Sequence, residues 1–444
     1  MMDRRTSWFE RAEKVVNRVN AAFPNPDNFE NWNLCEEHIL SAIAICEQII
    51  SFKLKIENAE FLLNKTGSYL TDKGKYQEAE PLYLQSLIIN KKILGKNHHE
   101  VARSLNNLAS LYQSQGKYYK AENLYQKSLN IWEKTLEKNH PDIARSFNNL
   151  AELCYEQGKY EKAEYLYQKS LQICEQSSEQ NKSDKASIIN NLALLYDTQG
   201  KYKEAEEFYR ISLSIWEEIL GDNHPNIALN LNNLAALYQV QNKYKEAESL
   251  YQRSLSIGEK SLGKNHPSVA RTLNNLADFY CTQGEYETAK IYIQKSLDIR
   301  EKALGKDHPD TALSLNNLAG IYQMQGRYEE AKFFYQKGLT IWEATLGRCH
   351  PDVGVALNNL ATLYQAQGEY VKAELLYRKS LVIRKRSLGV EHQEVAESLN
   401  NLATLYHLQG KYDKAYPLYK KSLYILENIL GKNHPNIKQV KKKL

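Results

Sequence analysis

The sequence contains no run of 18 apolar residues anywhere along its 444 positions. A membrane-crossing helix needs about 20 predominantly apolar residues, so the sequence predicts no membrane span and no membrane partner. The N-terminal stretch has neither an apolar core nor a small-residue cleavage site, so no secretory signal is expected. The six cysteines form no Cys-x-x-Cys pair, which is typical of reduced thiols and predicts a cytoplasmic protein.

The chain also has little net charge and few chain-breaking residues. Its 58 Lys and Arg against 53 Asp and Glu leave a net charge of +5. Because nucleic-acid binding needs a concentrated basic surface, no nucleic-acid partner is expected. There are only 10 Pro and 20 Gly, whereas 31 Tyr outnumber 10 Phe. A repeat of fixed length explains this bias.

The tetrapeptide Asn-Asn-Leu-Ala recurs along the chain at a constant interval of 42 residues. Such self-similarity is the signature of a repeat architecture. The register predicts nine units, at residues 57–98, 99–140, 141–182, 183–224, 225–266, 267–308, 309–350, 351–392 and 393–434. Residues 1–56 are expected to form an N-terminal helical cap or junction segment, and residues 435–444 a basic, partial C-terminal helix.

The sequence of each unit predicts two helices. In the sixth unit, Ala270, Leu273 and Ala277 share one apolar helical stripe that begins at a proline. Gly284 is expected to end the first helix, and Tyr286 begins the second. Since no segment alternates apolar and polar residues as a strand does, the fold class is predicted to be all-α.

Alanine columns on both helices let the two helix axes approach closely, and hairpins of this kind bury their apolar stripes by stacking into a solenoid. Ala109, Gly116, Tyr118, Ala121 and Tyr125 show the pattern, which resembles the tetratricopeptide repeat (TPR) family. The 42-residue length resembles the kinesin-light-chain subtype of that family. The resemblance implies a right-handed superhelical solenoid of helix-turn-helix units.

The N-terminal segment lies outside the repeat. Residues 33–50 predict one amphipathic helix that caps the first unit, and residues 21–43 resemble the junction before the TPR array of bacterial NB-ARC/STAND signalling proteins. The chain has no phosphate-binding GxxxxGK[ST] loop, so this resemblance implies a sensor remnant without its NTPase, and whether it works alone or with a separate NTPase is left open. A kinesin-type adaptor would carry a heptad coiled coil before its repeats, and Pro24 and Pro26 interrupt the segment.

A histidine column is the most conspicuous candidate for chemistry. It consists of His98, His140, His224, His266, His308, His350, His392 and His434. Its members are at least 42 residues apart and have no second ligand one helical turn away, so a structural role at the helix start is favoured over a metal site. No cysteine recurs beside a histidine and an acid. We therefore expect no metal, no cofactor and no enzyme activity.

Structural roles are also predicted for a tryptophan column, a lysine column and one link of unusual sequence. Trp132, Trp216 and Trp342 are expected to pack between neighbouring units. A lysine column is expected to be a solvated face, since nearby glutamates offset its charge; it comprises Lys127, Lys169, Lys295, Lys337, Lys379 and Lys421. Residues 177–182 have lost the Leu, Gly and Pro of the other links, which predicts the weakest internal interface and the first proteolytic cut between Cys174 and Asp184.

The first asparagine of each pair is the candidate binding row. These residues are Asn106, Asn148, Asn190, Asn232, Asn274, Asn316, Asn358 and Asn400. At 100° per residue they lie on the flank of the first helix, on the side that lines the concave groove in TPR folds. Spaced amides can hold the backbone of an extended peptide. The alternative is that the row ties one hairpin to the next; the second asparagine of each pair is expected to turn towards the neighbouring hairpin.

The sequence therefore predicts a non-enzymatic protein–protein interaction scaffold that binds a peptide or helix of a partner in this groove. Arg103, Arg145 and Arg271 join the asparagine row as candidate peptide contacts. Kinesin light chains bind acidic, tryptophan-containing peptides in this groove, but the arginines here are few and scattered. The alternatives are the NB-ARC remnant and a kinesin-light-chain-like adaptor. The partner's identity and the oligomeric state are left open.

Overall fold

The computed structural model describes residues 2–26, 31–52, 56, 58–176, 181–432 and 434–443. These residues form helices and no strand, as the sequence predicts, in two compact units, Met1–Ser146 and Phe147–Leu444. The first unit contains α1 (Met2–Ala22), α2 (Trp32–Ser51), α3 (Ala59–Asp72), α4 (Tyr76–Ile93), α5 (His99–Ser114) and α6 (Tyr118–Thr135). Helix α7 (Pro141–Glu156) crosses the boundary between the units.

The second unit continues as helix pairs of nearly constant length. Its helices are α8 (Tyr160–Gln176), α9 (Lys182–Thr198), α10 (Tyr202–Leu220), α11 (Pro225–Val240), α12 (Tyr244–Leu262), α13 (Pro267–Thr282), α14 (Tyr286–Ala303), α15 (Pro309–Met324), α16 (Tyr328–Thr345), α17 (Pro351–Ala366), α18 (Tyr370–Leu388), α19 (Gln393–Leu408), α20 (Tyr412–Leu430) and α21 (Pro435–Lys441). We number the pairs α3/α4 to α19/α20 as repeats 1 to 9. Residues 177–180, at the centre of the link of unusual sequence, lie outside the described residues.

The N-terminal segment contains a second helix beside the expected one. Helix α2 covers the expected residues, and α1 precedes it and ends before Pro24. Both helices pack on α3. The ammonium group of Lys65, on α3, donates hydrogen bonds to the carbonyl oxygens of Asn20 (3.0 Å) and Phe23 (3.1 Å). A lysine placed there satisfies carbonyl groups that the end of α1 leaves unpaired.

Histidine caps the start of the first helix in most repeats. Its Nδ1 accepts a hydrogen bond of 3.0 to 3.2 Å from the backbone N–H two residues later, which satisfies one orphan donor of the helix. The residues are His98, His140, His224, His266, His308, His350 and His392. The structural role predicted for this column is confirmed for these seven.

Each repeat turns on a left-handed residue between its two helices. At Gly116 φ is +64°, and the N–H of Lys117 donates to the carbonyl of Tyr112 at 2.8 Å, which closes the helix end. Repeat 5 has Asn242 at this position with φ of +60°, one of the few non-glycine residues that tolerates the conformation.

Alanine and serine hold the two helices of a repeat together. Ala109 and Ala121 are fully buried where α5 meets α6. Ser254 on α12 donates to the carbonyl of Ala228 on α11 at 2.7 Å, a bond that recurs through the array. Trp132, Trp216 and Trp342 are all buried. Trp216 and Trp342 share core clusters with Ile227 and Val353 of the following repeats, which confirms for these two the predicted packing between neighbouring units.

The second unit also contacts itself across a long sequence distance, along what we call the seam. His392 packs against the turn at Gly158, and its Nε2 donates to the carbonyl oxygen of Glu156 at 3.1 Å. His434 meets Gly200 in the same way, so both contacts join residues 234 positions apart. A Cβ atom at Gly158 would lie 2.9 Å from His392 Cδ2, so the seam requires a residue without a side chain.

Candidate functional site

The inner wall of the second unit is built from the first helices of its repeats. Helices α9, α11, α13, α15, α17 and α19 contact one another from repeat to repeat, more closely than successive second helices do. When one row of helices is spaced more tightly than the other, the stack curves towards it and forms an extended concave surface. The asparagine pairs lie on these first helices.

The asparagine pairs form a ladder between neighbouring repeats. The second asparagine of a pair donates from Nδ2 to Oδ1 of the first asparagine in the preceding repeat, at 3.0 to 3.2 Å. The bonded pairs are Asn191–Asn148, Asn233–Asn190, Asn317–Asn274, Asn359–Asn316 and Asn401–Asn358. These five first-row asparagines therefore have the structural role that is the alternative to peptide binding.

The first asparagine row is more buried than the second, whereas the groove hypothesis requires an exposed first row. A first row that faces an open groove would be solvated, yet Asn232, Asn274 and Asn316 are 3%, 9% and 6% exposed, and Asn190 and Asn358 are buried too. Asn106, Asn148 and Asn400 are partly exposed, as are the second-row residues. A solvated first row is therefore wrong for the five buried members, and four of them, Asn190, Asn274, Asn316 and Asn358, are bonded through Oδ1 to the next repeat. Peptide binding by the row stays a prediction.

The three candidate arginines are exposed but belong to different units. Arg103 and Arg145 lie in the first unit, where each pairs with an acid three residues earlier on its own helix. Arg271 lies in the second unit. An acidic-peptide site built on these arginines stays a prediction.

A cavity of about 410 Å³ lies on the inner wall between repeats 5 and 8. Amides from both rows line it: Asn274, Asn275, Asn316, Asn317 and Asn359. Its apolar wall includes Val240 and Met324, which are 55% and 59% exposed. Gly320 opens the cavity, since neighbouring repeats carry threonine or aspartate at this position. The cavity combines backbone-type hydrogen-bonding groups with apolar surface.

The sequence reasoning missed Val240 and Met324. They occupy the last position of their first helices, where other repeats carry Ser114, Glu156 and Thr198. The signal was present as a change from polar to apolar residues in that column. It was hard to recognise because the position precedes the turn and lies away from the asparagine row.

Two carboxyl groups with a raised pKa lie on the first helices of repeats 3 and 4, Glu152 on α7 and Asp197 on α9. Burial raises the pKa of Asp197 to about 6, and it also raises the pKa of Glu152. Asp278, beside the cavity, accepts a hydrogen bond from Gln239 Nε2 at 2.9 Å. A partner that presents carboxylates to this wall would add like charge, which is unfavourable in a poorly solvated site.

A second cavity, of about 580 Å³, lies at the seam. The Glu394 carboxyl group that lines it lies 3.1 Å from Arg384 Nε, and burial raises its pKa to about 7. Arg384 also donates to Ser398 Oγ at 2.8 Å and to the carbonyl of Glu394 at 3.0 Å. These groups are engaged with one another, so the cavity serves the seam's internal contacts.

Across the described ranges, no group of three or more His, Cys, Asp or Glu residues is arranged to hold a metal ion. Within the same ranges, no helix is both long and apolar enough to cross a membrane.

Comparisons with known proteins identify the repeat. The tetratricopeptide repeat family model matches residues 59–118, 100–176, 184–260, 227–302, 268–344, 334–386, 352–428 and 394–443. No curated protein matches the chain. The resemblance of residues 21–43 to an NB-ARC junction stays a prediction.

Similar solved structures include two related to kinesin light chains. BtubC (BKLC) from P. vanneervenii is 24% identical, with 55% of this chain and 92% of that chain covered and a TM-score of 0.40. Repeats of a putative kinesin light chain from Podosopora anserina are 28% identical, with 46% and 97% covered and a TM-score of 0.38. A Rap protein complexed with Competence and Sporulation Factor is 12% identical, with 88% and 98% covered and a TM-score of 0.55, so that likeness is one of fold.

Proposed function

The chain belongs to the tetratricopeptide repeat family, and we propose that it is an interaction scaffold whose second unit binds an extended segment of a partner protein along its inner wall. Tetratricopeptide repeats generally mediate protein–protein interaction, and the family is typically non-enzymatic. The observation that carries the proposal is the cavity between repeats 5 and 8, where amides of the asparagine ladder meet exposed apolar side chains.

The ladder leaves the second-row amides able to bind a peptide backbone. An asparagine side chain has two N–H donors and an oxygen that can accept two hydrogen bonds. A ladder bond uses one donor of Asn317 and of Asn359, both of which line the cavity. The bonds also fix the orientation of these amides before a partner arrives, which reduces the entropy lost on binding. The primary contacts are thus assigned to the second row, with the first row as its support.

The cavity favours a partner with an apolar side chain at this point. Val240 and Met324 offer apolar surface, and methionine adapts its shape to different side chains. Asp278 lies beside them, and Asp197, whose pKa burial raises, lies on α9 of the same wall. The segment bound here is therefore neutral or basic, with one bulky apolar residue for the cavity.

Filling the cavity tests this function without disturbing the fold. A Cβ atom at Gly320 would have its nearest neighbour at 3.6 Å, an ordinary contact, and glycine is a poor helix former, so Gly320→Leu retains the helix. The leucine side chain would occupy the space assigned to the partner. Ser110→Leu is the matched control, since it places the same side chain at the equivalent, exposed position of repeat 2.

Partners are identified by crosslinking mass spectrometry after capture from native lysate with the full chain. We expect a partner whose crosslinks map to α11–α17, whose capture falls at least tenfold with Gly320→Leu and which is retained by Ser110→Leu. A partner captured equally by both variants and by the unmodified chain would refute the inner-wall site.

A further inference from the structure

The outer face of repeats 6 to 8 carries a row of exposed apolar side chains. Ile291 on α14, Phe333 on α16 and Leu375 on α18 occupy the same repeat position and are 57%, 60% and 55% exposed. We call these three residues the outer stripe. Large apolar side chains that are exposed singly are normal, but an aligned row across adjacent helices is a feature of interaction surfaces.

The outer stripe is confined to these three repeats. The same position holds Pro81, Asn123, Tyr165, Glu207, Ser249 and Pro417 in the others. Ser249 and Pro417 therefore bound the stripe on its two sides. Stacking does not require an apolar residue at this position, because the repeats with Asn, Glu or Ser fold in the same way.

A charge reversal accompanies the stripe, at the position immediately before it. Repeats 1 to 5 and repeat 8 have glutamate there; Glu206 and Glu374 are examples, and each accepts a hydrogen bond from a tyrosine of the next repeat. Repeats 6 and 7 instead have Lys290 and Lys332, whose ammonium groups lie over the rings of Tyr322 at 5.6 Å and Tyr364 at 6.0 Å. Each replacement changes the local charge from negative to positive beside an apolar side chain.

A second row of lysines lies on the other side of the stripe. Lys295, Lys337 and Lys379 follow the stripe residues by four positions, so they share its helix face, and all three are exposed. Glu287 and Glu329 lie one turn before the stripe, towards the turns of the repeats. The apolar row is thus bordered by basic groups along the side that faces the ends of the second helices.

We propose that the outer stripe is a docking surface for an acidic amphipathic helix of a partner protein. An amphipathic helix lays its apolar face on such a row and presents its flanks to the bordering charges. Asp or Glu on one flank of the partner pairs with Lys295, Lys337 and Lys379, and electrostatic complementarity of this kind sets orientation and association rate. The surface lies on the second helices, so it is separate from the inner wall formed by the first helices.

The probe is a fluorescent synthetic helix of Leu, Ala and Glu, with leucines on one face and glutamates on both flanks. Its binding to the full chain is measured by fluorescence anisotropy. The comparison probe has lysine at every glutamate. We expect the acidic probe to bind at least tenfold more tightly than the basic probe, with an affinity that falls as salt is added.

Variants locate the probe on the molecule. Changing Ile291, Phe333 and Leu375 together to serine alters only exposed positions, and we expect it to weaken the acidic probe at least tenfold; circular dichroism verifies the fold. Asn123→Ser combined with Glu207→Ser is the matched control at the same repeat position and should bind as the unmodified chain does. Gly320→Leu should leave probe binding unchanged, which separates this surface from the proposed inner-wall function.

Three outcomes would overturn the proposal. The first is equal binding of the acidic and basic probes, and the second is unchanged binding to the serine variant. The third is concentration-dependent dimerisation in sedimentation velocity that the serine variant abolishes, since the occupant of the stripe would then be a second copy of this chain.

Discussion

The asparagine ladder makes a quantitative prediction about coupling between repeats. Asn317 Nδ2 donates to Asn274 Oδ1 at 3.0 Å, and Asn274 is only 9% exposed. The perturbation is a double-mutant cycle of Asn274→Ala, Asn317→Ala and the combined variant. A neutral hydrogen bond of this kind contributes about 0.5–1.5 kcal/mol net. Each alanine also gains up to about 0.7 kcal/mol of helix propensity, and this gain cancels in the cycle. We therefore expect a coupling free energy of about 1 kcal/mol.

The chain provides its own control for this cycle. Asn232 and Asn275 occupy the equivalent positions one repeat earlier, but Asn232 Oδ1 is buried and has no hydrogen-bond partner among the described residues. The Asn232/Asn275 cycle should therefore give a coupling within about 0.3 kcal/mol of zero. Asn232→Ala alone should be neutral or stabilising, because it removes a buried, unsatisfied acceptor.

Native-state hydrogen exchange is the suitable assay, because long repeat arrays do not unfold in a single cooperative step. Peptides from α13 and α15 report the local opening free energies of the two helices that the bond joins. Equal coupling at the two pairs, or coupling below about 0.3 kcal/mol at Asn274/Asn317, would refute the ladder as a source of stability.

Two further predictions concern histidine and glycine. Burial, with a smaller contribution from Arg271, lowers the pKa of His266 to about 4. The folded state therefore binds fewer protons than the unfolded chain between about pH 4 and 6.5. The stabilisation by this histidine cap is complete above that pH range and is lost as the pH falls through it. The His266→Asn variant retains a cap that does not titrate. The local opening free energy of α13, measured by native-state hydrogen exchange, should therefore diverge from that of the unmodified chain by about 1–2 kcal/mol in favour of the variant between pH 7.5 and 4.5, after discounting for partial exposure. At the seam, Gly158→Ala should lower the thermal unfolding temperature more than Gly284→Ala does. Both glycines have a positive φ, but only at Gly158 would the added Cβ lie against His392. An equal decrease in unfolding temperature for the two variants would contradict the seam contact.

Sequence periodicity predicted the parts of the fold that depend on one helix or one hairpin. The histidine caps follow from residue type and position, since His266 stands directly before the proline that begins α13. The burial of Trp342 follows from the stripe on its helix. The N-terminal segment was predicted less well: α1 lies before the proline break and carries no repeat signal, so only α2 was expected.

The predicted site was less accurate because it depends on contacts between repeats. A helical wheel places Asn274 and Asn275 100° apart, which shows that they face different directions but not which of them the next repeat covers. The covering residue is Asn317 of the following repeat, and its bond to Asn274 depends on the distance between α13 and α15. The seam contact was still harder to predict from the sequence, because the curvature of the array brings Gly158 and His392 together and no local pattern relates them.

The seam constrains the length of the repeats that lie between its two surfaces. Its two contacts share a separation of 234 positions, which requires that the rotation and rise accumulated from repeat to repeat bring each turn to a histidine. One residue added to a link between Gly158 and His392 would change that accumulated rotation and separate the two surfaces. A complete 42-residue repeat inserted there would leave the register intact, since the histidine of another link would arrive at the same turn. The seam contacts therefore tolerate the gain or loss of whole repeats, whereas a single-residue insertion or deletion within this stretch would separate them.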